Sequence, residues 1–176
     1  MFAAVVVVLQ LLGGGIKFGM FSISLVLIPI VVGAAVYGWQ AGAILGGVFG
    51  TAVLLSGDAA SFMTIDPAGT IVVVLLKGVA CGFFSGLVYK YLSRKNRVIA
   101  VFTSAVICPV VNTGVFLLGC YVFFMDTISE WAVGLGFDNA VTYMFIGLAG
   151  VNFLVELGVN LLLAPMIVRL IKLKLK

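Results

Sequence analysis

The fold of this chain is decided by Gly69–Leu92, GTIVVVLLKGVACGFFSGLVYKYL, in which Lys77 and Lys90 are the only charged residues. A helix needs about 20 predominantly apolar residues to cross a bilayer. A membrane β-strand needs only about 10 residues, and these alternate strictly between apolar and polar. Gly69–Leu92 is longer than that and does not alternate, so it predicts a transmembrane helix.

The composition extends this prediction to the whole chain. Of the 176 residues, 64% are hydrophobic and 9% are charged, whereas an ordinary soluble domain is about 45–50% apolar and about 25% charged. A soluble fold of this size could not bury so much apolar surface. The composition excludes a typical cytosolic enzyme, a disordered chain and a secreted disulfide scaffold, and it indicates an integral membrane protein.

Glycine, proline and charged residues divide the chain into six apolar runs. The predicted spans are about Met1–Leu12, Ser22–Tyr37, Gln40–Leu55, Gly69–Leu92, Val98–Phe124 and Val141–Leu170. The first three are short for a hydrocarbon core about 30 Å thick, which favours tilting or a missing N-terminal turn. A start inside the first helix, or a naturally short start, fits better than a signal peptide, because no basic residues precede the first apolar run. We therefore expect an all-α, six-helix membrane bundle in a single domain, residues 1–176.

The distribution of charge predicts the orientation of the bundle. Basic residues occupy the junction of spans 4 and 5 and the C-terminal tail (Lys90, Arg94, Lys95, Arg97, Arg169, Lys172, Lys174 and Lys176). Acidic residues occupy the other side, where Lys17 is the only basic one (Asp58, Asp66, Asp126, Glu130 and Asp138). The positive-inside rule makes the basic side cytoplasmic, and an even number of spans then places both termini there. The basic tail is interpreted as an anchor to lipid headgroups, not as a nucleic-acid-binding segment.

Several absences narrow the chemistry. The chain has no histidine and no Gly-Lys dipeptide, so it lacks the commonest metal ligand and a phosphate-binding P-loop. Cys81, Cys108 and Cys120 lie in apolar runs at spacings that match no metal or redox motif, and we expect them to be small buried hydrophobes. We therefore predict no catalytic residues, no metal site, no cofactor and no ATPase activity in this chain.

Two spans carry glycine at every fourth position. Gly42, Gly46 and Gly50 repeat in span 3, and the same spacing recurs in span 4 (Gly78, Gly82 and Gly86). Small residues at this spacing let membrane helices approach closely. The pattern fits packing inside a monomer, or a face on which Gly42 and Gly46 dock another subunit.

Polar residues within the spans are candidates for function, because an ionisable group at membrane depth is costly. Lys77 lies in span 4, Asn112 with Thr113 in span 5, and Asn152 and Glu156 share one face of span 6. A rise of about 1.5 Å per residue places them at overlapping depths in the outer half to the middle of the bilayer. Either Lys77 and Glu156 form a structural ion pair while the asparagines tie helices together, or these residues line a pocket for a polar small molecule.

The loops on the predicted outer side carry aromatic residues among glycines. Phe21 follows span 1, Phe62 precedes span 4 and Trp131 precedes span 6. Such residues suit a lid that closes over a flat ligand. They also suit an aromatic belt at the membrane interface.

Three stretches resemble the substrate-binding S components of energy-coupling factor (ECF) vitamin transporters. They are SLVLIPIVVGAAVYGWQAGAILGGVFG (Ser24–Gly50), NFLVELGVNLLLAPMIVR (Asn152–Arg169) and the Asn112-Thr113 pair in span 5. The resemblance implies a subunit of a prokaryotic cell membrane that captures a vitamin or related micronutrient from outside. It further implies a ligand site between helices 4 to 6 and the loop after helix 1, and partners comprising a transmembrane coupling subunit and two ATPase subunits.

The docking pattern departs from that family at the start of the chain. Family members usually carry Ala-x-x-x-Ala or a similar motif on helix 1, but here Ala3 is followed by Val7 and Ala4 by Val8. The resemblance nevertheless makes Ala3 and Ala4, with Gly42 and Gly46, the candidates for partner docking.

The identity of the ligand stays open at this stage. Lys77 favours a vitamin with a carboxylate, such as pantothenate or folate, whereas Glu156 could equally accept hydrogen bonds from a riboflavin-like ring. In the leading hypothesis Lys77, Asn112, Asn152 and Glu156 bind the polar groups of the ligand while Phe21, Phe62 and Trp131 cap it. A stand-alone proton-coupled carrier and a structural subunit without a ligand are the alternatives.

Overall fold

The computed structural model describes residues 1–13, 17–18, 21–22 and 25–174, with side chains over 1–13 and 25–171. Helices dominate this part of the chain, and a short antiparallel pair of two-residue strands joins Lys17 to Ser22 and Phe18 to Phe21. The elements are α1 (Phe2–Gly13), β1 (Lys17–Phe18), β2 (Phe21–Ser22), α2 (Leu27–Tyr37), α3 (Trp39–Ser56), α4 (Ala60–Met63), α5 (Pro67–Leu92), α6 (Arg97–Phe123), α7 (Met125–Gly134), α8 (Ala140–Thr142), a π-helix (Tyr143–Leu148) and α9 (Gly150–Lys174).

Four helical segments of the described chain are long and apolar enough to cross a membrane: Trp39–Ser56, Pro67–Leu92, Arg97–Phe123 and Ala140–Ile171. They correspond to predicted spans 3 to 6. The predominantly helical fold is thus confirmed, with four candidate membrane spans.

The first two predicted spans form shorter apolar helices, α1 and α2. Helix α2 begins at Leu27, later than the predicted Ser22, so Pro29 lies in its first turn and not near its middle. Proline is well tolerated there, because the first-turn N–H groups have no acceptor within the helix. Six complete spans and cytoplasmic termini therefore remain predictions.

The two glycine repeats face each other in the contact between α3 and α5. A Cβ added at Gly46 would overlap the carbonyl oxygen of Gly78, and one added at Gly82 would overlap the carbonyl oxygen of Gly42. The facing residues run in opposite order along the two helices, as expected for an antiparallel pair. Backbone meets backbone at this contact, which only glycine permits.

This packing favours one of the two readings of the glycine repeat, packing inside the chain. Gly42 and Gly46 are buried against α5 and so do not form an exposed surface. Ala3 and Ala4, in contrast, are exposed on α1. The glycine repeat therefore serves packing inside the chain.

Helices α5 and α6 form a hairpin that continues the bundle. Asn96 caps the N-terminus of α6, where its side chain accepts hydrogen bonds from the backbone N–H groups of Val98 (2.8 Å) and Ile99 (3.2 Å). Ser104 of α6 donates to the carbonyl oxygen of Ser85 of α5 at 3.0 Å. Cys81, Cys108 and Cys120 are free and buried, as predicted.

The end of the bundle where α3 leads into α4 is closed by short elements. The side chain of Gln10, near the end of α1, donates to the carboxylate of Asp58 in the turn after α3. Helices α4 and α7 pack there through an apolar cluster that includes Phe62, Phe124 and Ile128. The basic junction between α5 and α6 lies at the opposite end of α5, so the two ends differ in charge as the sequence predicts.

A π-helix, Tyr143–Leu148, precedes the last long helix. Its wider turn is visible in the bond from the backbone N–H of Ala149 to the carbonyl oxygen of Met144, five residues earlier, at 3.1 Å. Such segments often lie at functional sites. Here the π-helix ends directly beside the cavity described below.

Candidate functional site

A cavity lies between α3, α5, α6 and α9, beneath α4. The space within it that a water-sized molecule can enter is about 70 Å³. Its polar lining comes from Gln10, Asp58, Thr70, Lys77, Asn112, Thr113, Asn152 and Glu156, and its aromatic lining from Phe62, Phe116, Phe124 and Phe153.

Helical spacing explains why each long helix presents several residues to this cavity. On α5, Val73 and Val74 each lie three or four residues from both Thr70 and Lys77, which places these residues on one face. Asn112 and Phe116 of α6 are related in the same way, and so are Asn152 and Glu156 of α9. The polar residues that the sequence places at similar depths in the bilayer therefore line one cavity.

Lys77 lies against both aromatic rings and carboxylates. Its ammonium nitrogen is 5.2 Å from the ring centroid of Phe116 and 5.8 Å from that of Phe49, within the distance at which a cation is attracted to a ring face. It also interacts electrostatically with the carboxylate of Glu156 and, more weakly, with that of Asp58. Two aromatic rings thus lie near the ammonium, and two acidic groups lie within electrostatic range of it.

Asn112 and Asn152 bring buried carbonyl oxygens to the cavity. Neither side-chain oxygen has a hydrogen-bond partner among the described residues, and Asn112 is only 5% exposed. Leaving a buried acceptor without a donor costs about 1–3 kcal/mol. Both oxygens are therefore available to a hydrogen-bond donor that enters the cavity.

Glu156 is buried, and its backbone carbonyl oxygen accepts a hydrogen bond from the next turn of α9. The side-chain amide of Asn160 donates to the backbone carbonyl oxygen of Glu156 at 2.8 Å. Asn160 shares the helix face of Asn152 and Glu156, but it does not line the cavity. Of the three polar residues on this face of α9, Asn152 and Glu156 therefore line the cavity and Asn160 does not.

An aromatic cluster covers the cavity at the predicted outer end. The ring of Phe62 makes edge contacts with Phe124, Trp131 and Phe116, at centroid distances of 4.9, 5.6 and 5.8 Å. Phe62 lines the cavity, and Trp131 lies behind it as a supporting residue. The backbone of Phe21 lies in β2, but its side chain falls outside the described part of the chain.

Replacing the central ring of this cluster gives a first prediction. Phe62→Leu keeps an apolar side chain but removes three ring contacts, each of which contributes about 0.5–1.5 kcal/mol. We expect a destabilisation of about 2 kcal/mol and a red shift in the fluorescence of Trp131. Fluorescence-monitored thermal unfolding in a Trp39→Phe background measures both. Phe145→Leu, at a side chain that is 60% exposed, is the control, and equal behaviour of the two variants would contradict the role of the cluster.

Some residues in and around the cavity were not predicted from the sequence. Asp58 was counted only as a charge of the outer side, although its contact with Gln10 brings it to the cavity mouth. Phe116 lies four residues after Asn112, so helical spacing could have indicated it. No spacing in the sequence indicates the contact between Phe49 and Lys77, because it arises only from the packing of α3 against α5.

Among the described residues, no group of three or more His, Cys, Asp or Glu side chains is placed to hold a metal ion. The lining instead combines one ammonium, two carboxylates, amides, hydroxyl groups and aromatic rings. This donor set suits an organic molecule with polar edges and a flat apolar face.

The fold and the cavity together define a multi-pass helical membrane protein of the kind that binds a small molecule within its bundle. A family model described as "ECF transporter, substrate-specific component" matches residues 1–168. The chain therefore belongs to the substrate-specific components of ECF transporters, and the resemblance in its sequence is confirmed. Among curated proteins and solved structures, none matches the chain significantly.

Membership of this family sets the coarse function. The family consists of substrate-binding subunits of transporters, which operate in membrane-embedded complexes with coupling and ATPase subunits.

Proposed function

We propose that this protein captures a polar small molecule, a vitamin or related micronutrient, from the outer side of a prokaryotic cell membrane. It delivers that molecule inward together with a separate coupling and ATPase module. The observation that carries the proposal is the cavity in which Lys77, Asn112, Asn152 and Glu156 converge beneath an aromatic cover. The carbonyl oxygens of Asn112 and Asn152 would accept hydrogen bonds from the ligand, and Phe62, supported by Trp131 and joined by Phe21, would cap it.

The partner surface is proposed to lie on α1. Ala3 and Ala4 are exposed there, and the neighbouring face is apolar, with Val8 52% exposed and Leu11 58% exposed. Small residues within an apolar face let another membrane helix approach closely. The coupling subunit would therefore dock beside these alanines, and not on the buried glycines of α3.

The experiment that tests the function is identification of the captured molecule. The intact protein is purified in mild detergent, any retained small molecule is released by denaturation, and mass spectrometry identifies it. We expect the same compound, added back, to raise the midpoint of thermal unfolding in a concentration-dependent way. Failure to retain a small molecule, together with no stabilisation by a panel of vitamins, would contradict the proposal.

Replacing Asn112 or Asn152 is predicted to lower ligand affinity without lowering the stability of the protein. Asn112→Leu and Asn152→Leu each remove a buried acceptor that has no donor in the described structure, so stability without ligand should be unchanged or slightly higher. Affinity for the captured compound should fall about tenfold in each variant, because a hydrogen bond contributes about 1–1.5 kcal/mol. Titration calorimetry and thermal unfolding measure the two effects.

Asn160→Leu is the matched control for these variants. Asn160 also has a buried side-chain oxygen without a partner among the described residues, but it lies outside the cavity lining. Its replacement should leave ligand affinity unchanged. Equal losses of affinity in all three variants would show that the asparagines act through the helix packing and not through ligand contact.

A proton-coupled carrier is the second candidate, favoured by the buried carboxylate of Glu156 beside Lys77. Such a carrier would accumulate the compound in liposomes that contain this protein alone and a pH gradient. A substrate-capture subunit would bind the compound there without accumulating it. Accumulation by the protein alone would therefore decide for the second candidate.

A further inference from the structure

The cavity is lined by more acidic than basic side chains. Among the described lining residues, Lys77 is the one cation, whereas Glu156 and Asp58 are both carboxylic acids.

The positive charge of Lys77 is already engaged by the protein. The rings of Phe49 and Phe116 lie within 5.8 Å of the ammonium nitrogen and present partial negative charge to it. An incoming carboxylate would have to compete with these rings and with Glu156. It would also add a further negative charge in a low-dielectric interior, where such charges interact strongly.

The hydrogen-bonding groups of the lining also favour a ligand without a carboxylate. The carbonyl oxygens of Asn112 and Asn152 are buried acceptors without a donor among the described residues. A ligand relieves that cost only by bringing N–H or O–H groups of its own. A carboxylate brings none, because it is only an acceptor when ionised.

We propose that the ligand is a neutral or cationic, flat molecule that donates at least two hydrogen bonds and has no net negative charge. This inference rests on the proposed function and narrows its substrate class. It replaces the carboxylate-bearing vitamin that the sequence favoured from Lys77 alone. The aromatic lining, Phe62, Phe116 and Phe153, suits the flat face of such a molecule.

Matched pairs of compounds test the charge preference. The intact protein in lipid nanodiscs is titrated with nicotinamide against nicotinate and with pantothenol against pantothenate, and the molecule retained on purification is identified. The members of each pair differ mainly in the presence of a carboxylate. We expect the uncharged member of any pair that binds to have at least tenfold higher affinity, and the retained molecule to be neutral or cationic.

A variant of the cavity sharpens this test. Glu156→Gln removes one carboxylate without changing the size of the side chain, so the affinity ratio within a binding pair should shift toward the carboxylate member. Both affinities of a pair are measured on one preparation of the variant. A partial loss of folded protein therefore affects both measurements equally and does not change their ratio. Glu130→Gln, an exposed acid of α7, should leave the ratio unchanged.

The outcomes separate this inference from the proposed function. A retained molecule with net negative charge, or tighter binding of the carboxylate members, would overturn the inference and leave the proposed function intact. Failure of every compound to bind, with nothing retained on purification, would contradict the proposed function and the inference with it.

Discussion

Gly46→Ala is expected to destabilise the protein by about 3 kcal/mol or more. The added methyl group would overlap the carbonyl oxygen of Gly78 on α5. The obstacle is the backbone of a packed helix and not the end of a flexible side chain, so the two helices would have to separate. Overpacking typically costs 1–3 kcal/mol, and this contact lies at the upper end because neither side can move locally.

Thermal unfolding followed by tryptophan fluorescence measures this loss. A change of 1 kcal/mol corresponds to about 2–4 °C for a protein of this size, so the midpoint should fall by about 10 °C. Gly47→Ala on the same helix is the matched control, because a methyl group there would lie 3.6 Å from Val79 in ordinary contact. It should be neutral or slightly stabilising, since alanine favours a helix more than glycine does. Equal midpoints for the two variants would refute the close packing of α3 on α5.

Lys77→Met is the second substitution with a large expected effect. It removes the ammonium that balances Glu156, which is only 5% exposed. Removing one partner of a buried charge pair typically costs 3–5 kcal/mol, because the other charge stays buried. We expect a loss of that size in the protein without ligand, and loss of ligand binding with it.

A double-mutant cycle distinguishes charge balance from simple packing. In Lys77→Met/Glu156→Gln no buried charge is left from the pair, so the unfolding midpoint should recover toward that of the unmodified protein. Lys90→Met, at an exposed position of the same helix, should change it little. Additive losses in the double variant would show that Lys77 and Glu156 do not act as a pair.

Several parts of the site could be predicted because they depend on helical geometry alone. The spacing of Asn152 and Glu156, and the depths of Lys77 and Asn112, follow from the rise and turn of a helix. The structure places all four around one cavity. Other parts depend on contacts between distant segments, for example Asp58 with Gln10, or Phe49 with Lys77. No spacing along one helix reveals these contacts.

The sequence alone was enough to predict the class of the protein, its four long apolar helices and its family, because apolar run length and charge placement are properties of single segments. Which helix faces meet depends on the tertiary structure. It buried Gly42 and Gly46 against α5 instead of leaving them for a partner. It also placed Asp58 and two aromatic rings around Lys77. A lysine that suggests an anion site when considered alone thus lies in a cavity with two acidic side chains, because electrostatic interactions depend on distances in space and not on positions along the chain.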